Sequence, residues 1–214
     1  WQVLTDFNVW LIGGVGALFY TSLSVFGELW GKAYLENAQH LTNMQAAEAI
    51  SCVFLGWAIG APLIGYFSDH IGHRIKTLLI GALLGGASIC VVLYVPDLSF
   101  SMISGCLFFY GIVTSSEIII FVMAKEICEA KLAGTVFSVT NMIVMLGGML
   151  LQPAVGYLLD WHAVKDLATQ RYLYTVADYQ LALSVLPLAL IVSVGLLGYL
   201  GMRSQFTLTA KSGE

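Results

Sequence analysis

The stretch LGWAIGAPLIGYFSD, residues 55–69, returns 91 positions later as LGGMLLQPAVGYLLD, residues 146–160. Leu55, Gly56, Pro62, Gly65, Tyr66 and Asp69 are matched by Leu146, Gly147, Pro153, Gly156, Tyr157 and Asp160. Six identities in fifteen positions at one fixed register mark an internal repeat. Each copy closes an apolar run, and the number of runs between the two copies decides the fold.

Apolar runs recur at about residues 8–27, 45–67, 77–95, 100–123, 133–159 and 179–202. Each is close to or above the roughly 20 residues that carry a helix through a bilayer. None alternates as a barrel strand would. From the second run to the fifth is a step of three spans, an odd number, so the two copies cross the membrane in opposite senses. The sequence therefore predicts an all-α membrane protein: six transmembrane helices as a 3+3 inverted repeat, with units at about 8–95 and 100–202. One bundle is expected over 1–214, with 203–214 as a tail. Inverted repeats of this kind are common in secondary transporters.

Composition agrees. Of 214 residues 58% are hydrophobic and 10% charged, where a soluble domain carries about a quarter charged residues. The lipid bilayer is the solvent. A net charge of -4, scattered along the chain, gives no footprint for nucleic acid. Cys52, Cys90, Cys106 and Cys128 lack metal or disulfide spacing and read as apolar fillers. The chain starts at Trp1, its first eight residues are too polar for a signal peptide, and it is expected to be a piece of a longer protein. Arg74, Lys76, Lys125, Lys131, Arg203 and Lys211 fall on one side of the predicted membrane, and Lys32, Lys165 and Arg171 on the other. The positive-inside rule puts both termini in the cytoplasm, and the expected location is a bacterial inner membrane.

The loop after the second run reads Gly65-Tyr-Phe-Ser-Asp69-His70-Ile-Gly72-His73-Arg74-Ile-Lys76. It resembles the G-x-x-x-D-R-x-G-R-R/K signature of the major facilitator superfamily, with His70 and His73 in place of the usual basic residues. The resemblance covers essentially the whole chain. It implies helices seven to twelve of a twelve-helix fold, a missing N-terminal six-helix half as partner, and a conformational latch built on Gly65, Asp69, Gly72 and Arg74. A pair of self-associating copies is the other way to complete a cavity.

The costliest side chain is Glu117, an ionisable group inside the fourth run and a functional candidate by default. At helical spacing Tyr110, Thr114, Glu117 and Phe121 form one stripe. Asn141 and Gln152 share a face of the fifth helix, as polar groups that lipid would not accept. Tyr20 adds a hydroxyl on the first. Glu117 is expected to exchange a proton or to hold a cationic group of a substrate. Glu117, Tyr110, Thr114, Asn141, Gln152 and Tyr20 are the candidate solute or proton site. Most serines and aromatics in such helices serve packing alone, and Asn141 and Gln152 serve equally well as interhelical glue.

No phosphate loop, zinc motif or paired carboxylates suggest an enzyme, and no metal or cofactor is expected. The expected function is a secondary active, proton-coupled symporter for a small polar solute such as an amino acid. A multidrug or metabolite efflux carrier of the same superfamily is the alternative, and a six-helix channel the second.

Overall fold

A computed structural model describes residues 2–162, 164–165 and 172–203, so residues 204–214 of the expected tail lie outside it. Six helices long and apolar enough to cross a membrane are present among the described residues. They are α1 (Phe7–Asn37), α2 (Asn43–Ile71), α3 (Arg74–Tyr94), α4 (Phe100–Glu126), α5 (Ala130–Trp161) and α6 (Val176–Met202). With no water in the bilayer core, each backbone amide and carbonyl must be bonded inside the protein, which is why the spans are helices.

The helix ends are written in the sequence. Thr42 caps α2 and forms a reciprocal capping box with Gln45, and Thr175 does the same with Asp178 ahead of α6. Ser99 caps α4. Gly72 ends α2 with φ 68, a left-handed position that glycine takes without strain. A short antiparallel ladder, β1 (Val164–Lys165) with β2 (Tyr172–Leu173), lies in the loop between α5 and α6.

The first span departs from expectation. The first apolar run ends at about residue 27, yet the helix continues through Glu28 to Asn37. Its charged residues lie outward, with Lys32 paired to Glu36 at 3.7 Å, while Tyr34 and Leu35 are buried. Tyr34 donates to the Val92 and Leu93 carbonyls at 3.0 Å, and Gln39 and Gln180 add bonds to Val92, Val95 and Leu93. The orphan carbonyls at the end of α3 are thereby satisfied.

The inverted repeat is visible in the packing. α2 lies on α4, and its counterpart α5 lies on α1, so each repeat's second helix packs on the other repeat's first. A Cβ at Gly56 would fall on the Phe108 carbonyl oxygen, and one at Gly147 would lie 2.6 Å from Ala17 Cβ. Gly147 is Gly56 moved by 91 positions, and Phe108 is Ala17 moved by the same 91. Gly111 meets Trp57 across one interface and Gly148 meets Tyr20 across the other, again the same pair exchanged at that offset. Burial follows suit: over the most apolar 18 residues, α1 and α4 are each 61% buried, α3 and α6 each 44%, α2 and α5 each 28%.

Lipid tails are as apolar as leucine, so helix association here rests on close contact and not on the expulsion of water. Glycine allows that contact. Gly56→Ala and Gly147→Ala should each destabilise the bundle by about 1–3 kcal/mol, read as a lowered melting temperature in detergent. Gly65→Ala, where a Cβ meets nothing within 4 Å, should leave the melt unchanged.

Candidate functional site

α1 and α4, the two most buried helices, also lose regular α geometry at repeat-equivalent places. In α1 the segment Ser22–Trp30 is π-helical, with the Gly31 amide bonded five residues back to Phe26. In α4 the turn Ser115–Glu117 tightens to a 3-10 helix. The sequence supplies a cause: hydroxyls that compete for helix carbonyls. Thr114 donates to Tyr110 O at 2.8 Å, Ser115 to Ile112 O at 2.6 Å and Ser116 to Val113 O at 2.8 Å. In α1, Thr21 donates to Leu18 O at 2.6 Å just before the π segment. Irregular turns inside helices are enriched at functional places.

A polar cluster sits beside these turns. Glu28, on the π segment, accepts from the Tyr20 hydroxyl at 3.4 Å through Oε1 and from Gln152 Nε2 at 3.4 Å through Oε2. Gln152 also donates to the Ser24 carbonyl at 2.7 Å, and the Trp30 indole donates to the Gln152 carbonyl at 3.1 Å. α1 and α5 are therefore cross-braced around Glu28. Glu117 is 5% exposed, lies within electrostatic reach of Tyr20, and has no hydrogen bond or ion pair among the described residues. The Ser24 hydroxyl is buried and unbonded as well.

The sequence-predicted residues separate into two groups. Tyr20, Gln152 and Glu117 gather here. Tyr110 and Thr114 do not join the open face: Tyr110 is fully buried edge-on to Phe26 with centroids 6.5 Å apart, its hydroxyl facing Ser22, and Thr114 bonds its own helix. Asn141 is half-buried and makes no hydrogen bond among the described residues. Glu28 was missed by sequence reasoning. Its signal was present, since the apolar pattern resumes after it through Tyr34 and Leu35, and an acid followed by further apolar residues merits the attention given to Glu117. A separate groove of about 230 Å³ between α3 and α6, around Ala82, Gly86, Cys90, Pro187 and Leu190, is nearly all apolar and offers a polar solute no partner.

At the Arg74 end, the loop motif assembles as charges around one guanidinium. Arg74 pairs with Asp69 through Nη1, reaches Ser68 Oγ at 3.2 Å and Glu126 at 3.1 Å through Nη2. Asp69 and Arg74 were expected. Glu126, at the end of α4, was not, and it ties the loop to α4 within this chain. Gly72 serves the turn, whereas Gly65 stands in open space. His70 stacks on Tyr66 at 4.7 Å and His73 precedes α3, so neither imidazole replaces the guanidinium.

A family model, the Major Facilitator Superfamily, matches residues 9–165. The chain is 28% identical over 167 residues to the membrane sensor protein UhpC of Escherichia coli, covering 75% of this chain and 37% of that protein. It is 28% identical over 151 residues to a D-xylose transporter of Levilactobacillus brevis, covering 70% and 32%. Its fold matches the xylose transporter XylE from E. coli in an inward open conformation, with a TM-score of 0.69 at 16% identity over 90% of this chain and 47% of that one. The chain thus spans about a third to a half the length of these relatives.

The Arg74 network is solvent-accessible, with Asp69 65% and Glu126 52% exposed, and solvent screens it accordingly. A double-mutant cycle on unfolding, Arg74→Gln with Glu126→Gln, should give a coupling of about 0.3–1 kcal/mol that shrinks on raising salt. A coupling above this range, or one indifferent to salt, would contradict the exposed geometry.

Proposed function

The chain belongs to the Major Facilitator Superfamily, and from that premise we propose that it is one six-helix half of a secondary active transporter for a small polar solute. The missing six-helix half completes the cavity, and we place it against α2 and α5, the two least buried spans, where Leu55, Leu63, Met149 and Tyr157 are exposed. The Arg74 end is cytoplasmic in this reading, in keeping with the positive-inside rule.

The observation that carries the proposal is the polar cluster of Tyr20, Glu28 and Gln152 next to the unpartnered Glu117. An intramembrane carboxyl without a partner is expensive and is kept where it does work. Its location at the irregular turns of α1 and α4 suits a site whose occupancy changes backbone geometry. In the transport cycle, the solute binds the hydroxyl, amide and carboxylate groups of α1 and α5, and Glu117 carries the coupled proton. Protonated, Glu117 is neutral and crosses from one access state to the other. Released on the low-proton side, the proton leaves a carboxylate that resets the cycle.

A monosaccharide or similar polyol is the solute we favour, because two of the relatives are described as xylose transporters. The amino acid expected from the sequence draws no support from them. The test uses the full-length protein in liposomes with radiolabelled D-xylose. An inward gradient of one pH unit should drive accumulation of up to about tenfold at one proton per solute. Glu117→Gln should keep counterflow exchange while accumulation falls to the level without a gradient. A Glu117→Gln variant that accumulates xylose as wild type would remove Glu117 from coupling, and ohmic solute flux would remove the carrier reading altogether.

A further inference from the structure

The transport reading leaves open which charge class of solute this half accepts, and Glu28 bears on that. The residue is exposed, on a backbone segment whose hydrogen bonds run five residues back. Each of its two oxygens is held by one donor from a different direction, Tyr20 Oη within α1 and Gln152 Nε2 from α5. Both bonds are 3.4 Å, the long end of the range. A carboxylate offers about four acceptor directions, so about half of its capacity remains for a ligand while its position stays fixed.

The neighbours leave the same chemical imbalance. Glu117 is more than nine-tenths buried and makes no hydrogen bond among the described residues, and the one unspent donor beside it, the buried Ser24 hydroxyl, accepts as well as donates. The donors, Tyr20 and Gln152, are already committed, and the Trp30 indole is spent on the Gln152 carbonyl. Lys32, the cation nearest in sequence on α1, is paired with Glu36. The site is therefore rich in acceptors and poor in free donors. A ligand that fits must bring donors, and one that brings negative charge meets carboxylates without a compensating cation.

We propose that Glu28 determines specificity, as a braced hydrogen-bond acceptor that takes the hydroxyl groups of a neutral polyol and rejects anions. The inference rests on the transport reading for its setting and is independent of how transport is coupled.

The experiment measures binding to the purified full-length protein by tryptophan fluorescence and calorimetry, with D-xylose and its carboxylate counterpart D-xylonate as probes. Wild type should bind xylose and bind xylonate at least about 100-fold more weakly. Glu28→Gln should weaken xylose by about 10- to 100-fold and narrow the gap between the two sugars. Glu28→Asp should recover part of the discrimination, since it keeps the charge. Tyr20→Phe frees one carboxylate oxygen without changing charge, so it should alter xylose affinity while xylonate stays excluded; it serves if Glu28→Gln does not fold. Xylonate binding as tightly as xylose, unchanged xylose affinity in Glu28→Gln, or no wild-type response to either sugar overturns the proposal. The expected binding pattern without uptake in liposomes would sustain the role of Glu28 and overturn the transport reading; gradient-driven uptake of xylonate would do the reverse.

Discussion

The structure depends on close backbone contact between the first helix of each repeat and the second helix of the other. Gly56 against Phe108 and Gly147 against Ala17 are the same contact seen twice, related by the 91-residue register. In lipid there is no gain from removing apolar surface from water, so dispersion over such contacts has to hold the helices together. Because the contacts cross between repeats, neither three-helix unit supplies its own packing partner. The exchange also explains the burial pattern. α1 and α4 receive a helix from the opposite repeat in addition to their own neighbours, and α2 and α5 give one face inward and leave the other open.

The scaffold is symmetric, but its chemistry is not. At the 91-residue offset Glu117 corresponds to Phe26, Glu28 to Ile119, Tyr20 to Gly111 and Gln152 to Ala61. Each polar group of the cluster thus has an apolar or glycine counterpart that only packs. Both repeats carry a weakened helix at this level, beside hydroxyls and glycine, and each supplies two of the polar side chains around it, Tyr20 and Glu28 from the first and Glu117 and Gln152 from the second. The polar cluster thus sits on an irregularity that both repeats of the fold share.

The six spans, the repeat and the loop motif were legible because each rests on a strong local signal: apolar length, a shared register, and a glycine that must turn left-handed at Gly72. The site was legible only in part. Glu28 was hidden because Glu28, Lys32, Glu36 and Asn37 give a polar local composition, whereas the decisive facts are tertiary. Tyr34 reaching the carbonyls of α3 and an i,i+4 ion pair keep that segment helical. Tyr110 and Thr114 were grouped with Glu117 on the assumption of an ideal helix at 100° per residue. The 3-10 turn at Ser115–Glu117 advances about 120° per residue, so the alignment fails by about 60° across it. Glu126 was missed for a simpler reason, since nothing in a linear sequence brings residue 126 to residue 74.

The placement of restraints and irregularities bears on how such a half can move. At one end Arg74 joins the α2–α3 loop to α4 through Asp69 and Glu126. At the other, Tyr34, Gln39 and Gln180 tie α1 and α6 to the terminal carbonyls of α3. With both ends cross-linked, independent sliding of these helices would break several hydrogen bonds at once. α1 and α4 instead carry their altered hydrogen bonding in the middle, at Ser22–Trp30 and Ser115–Glu117, beside Glu28 and Glu117. Deformation is therefore cheapest where the polar groups lie, and a solute bridging α1 and α5 would act on the most compliant backbone in the bundle. The restrained ends would then carry that local change outward as motion of the whole half.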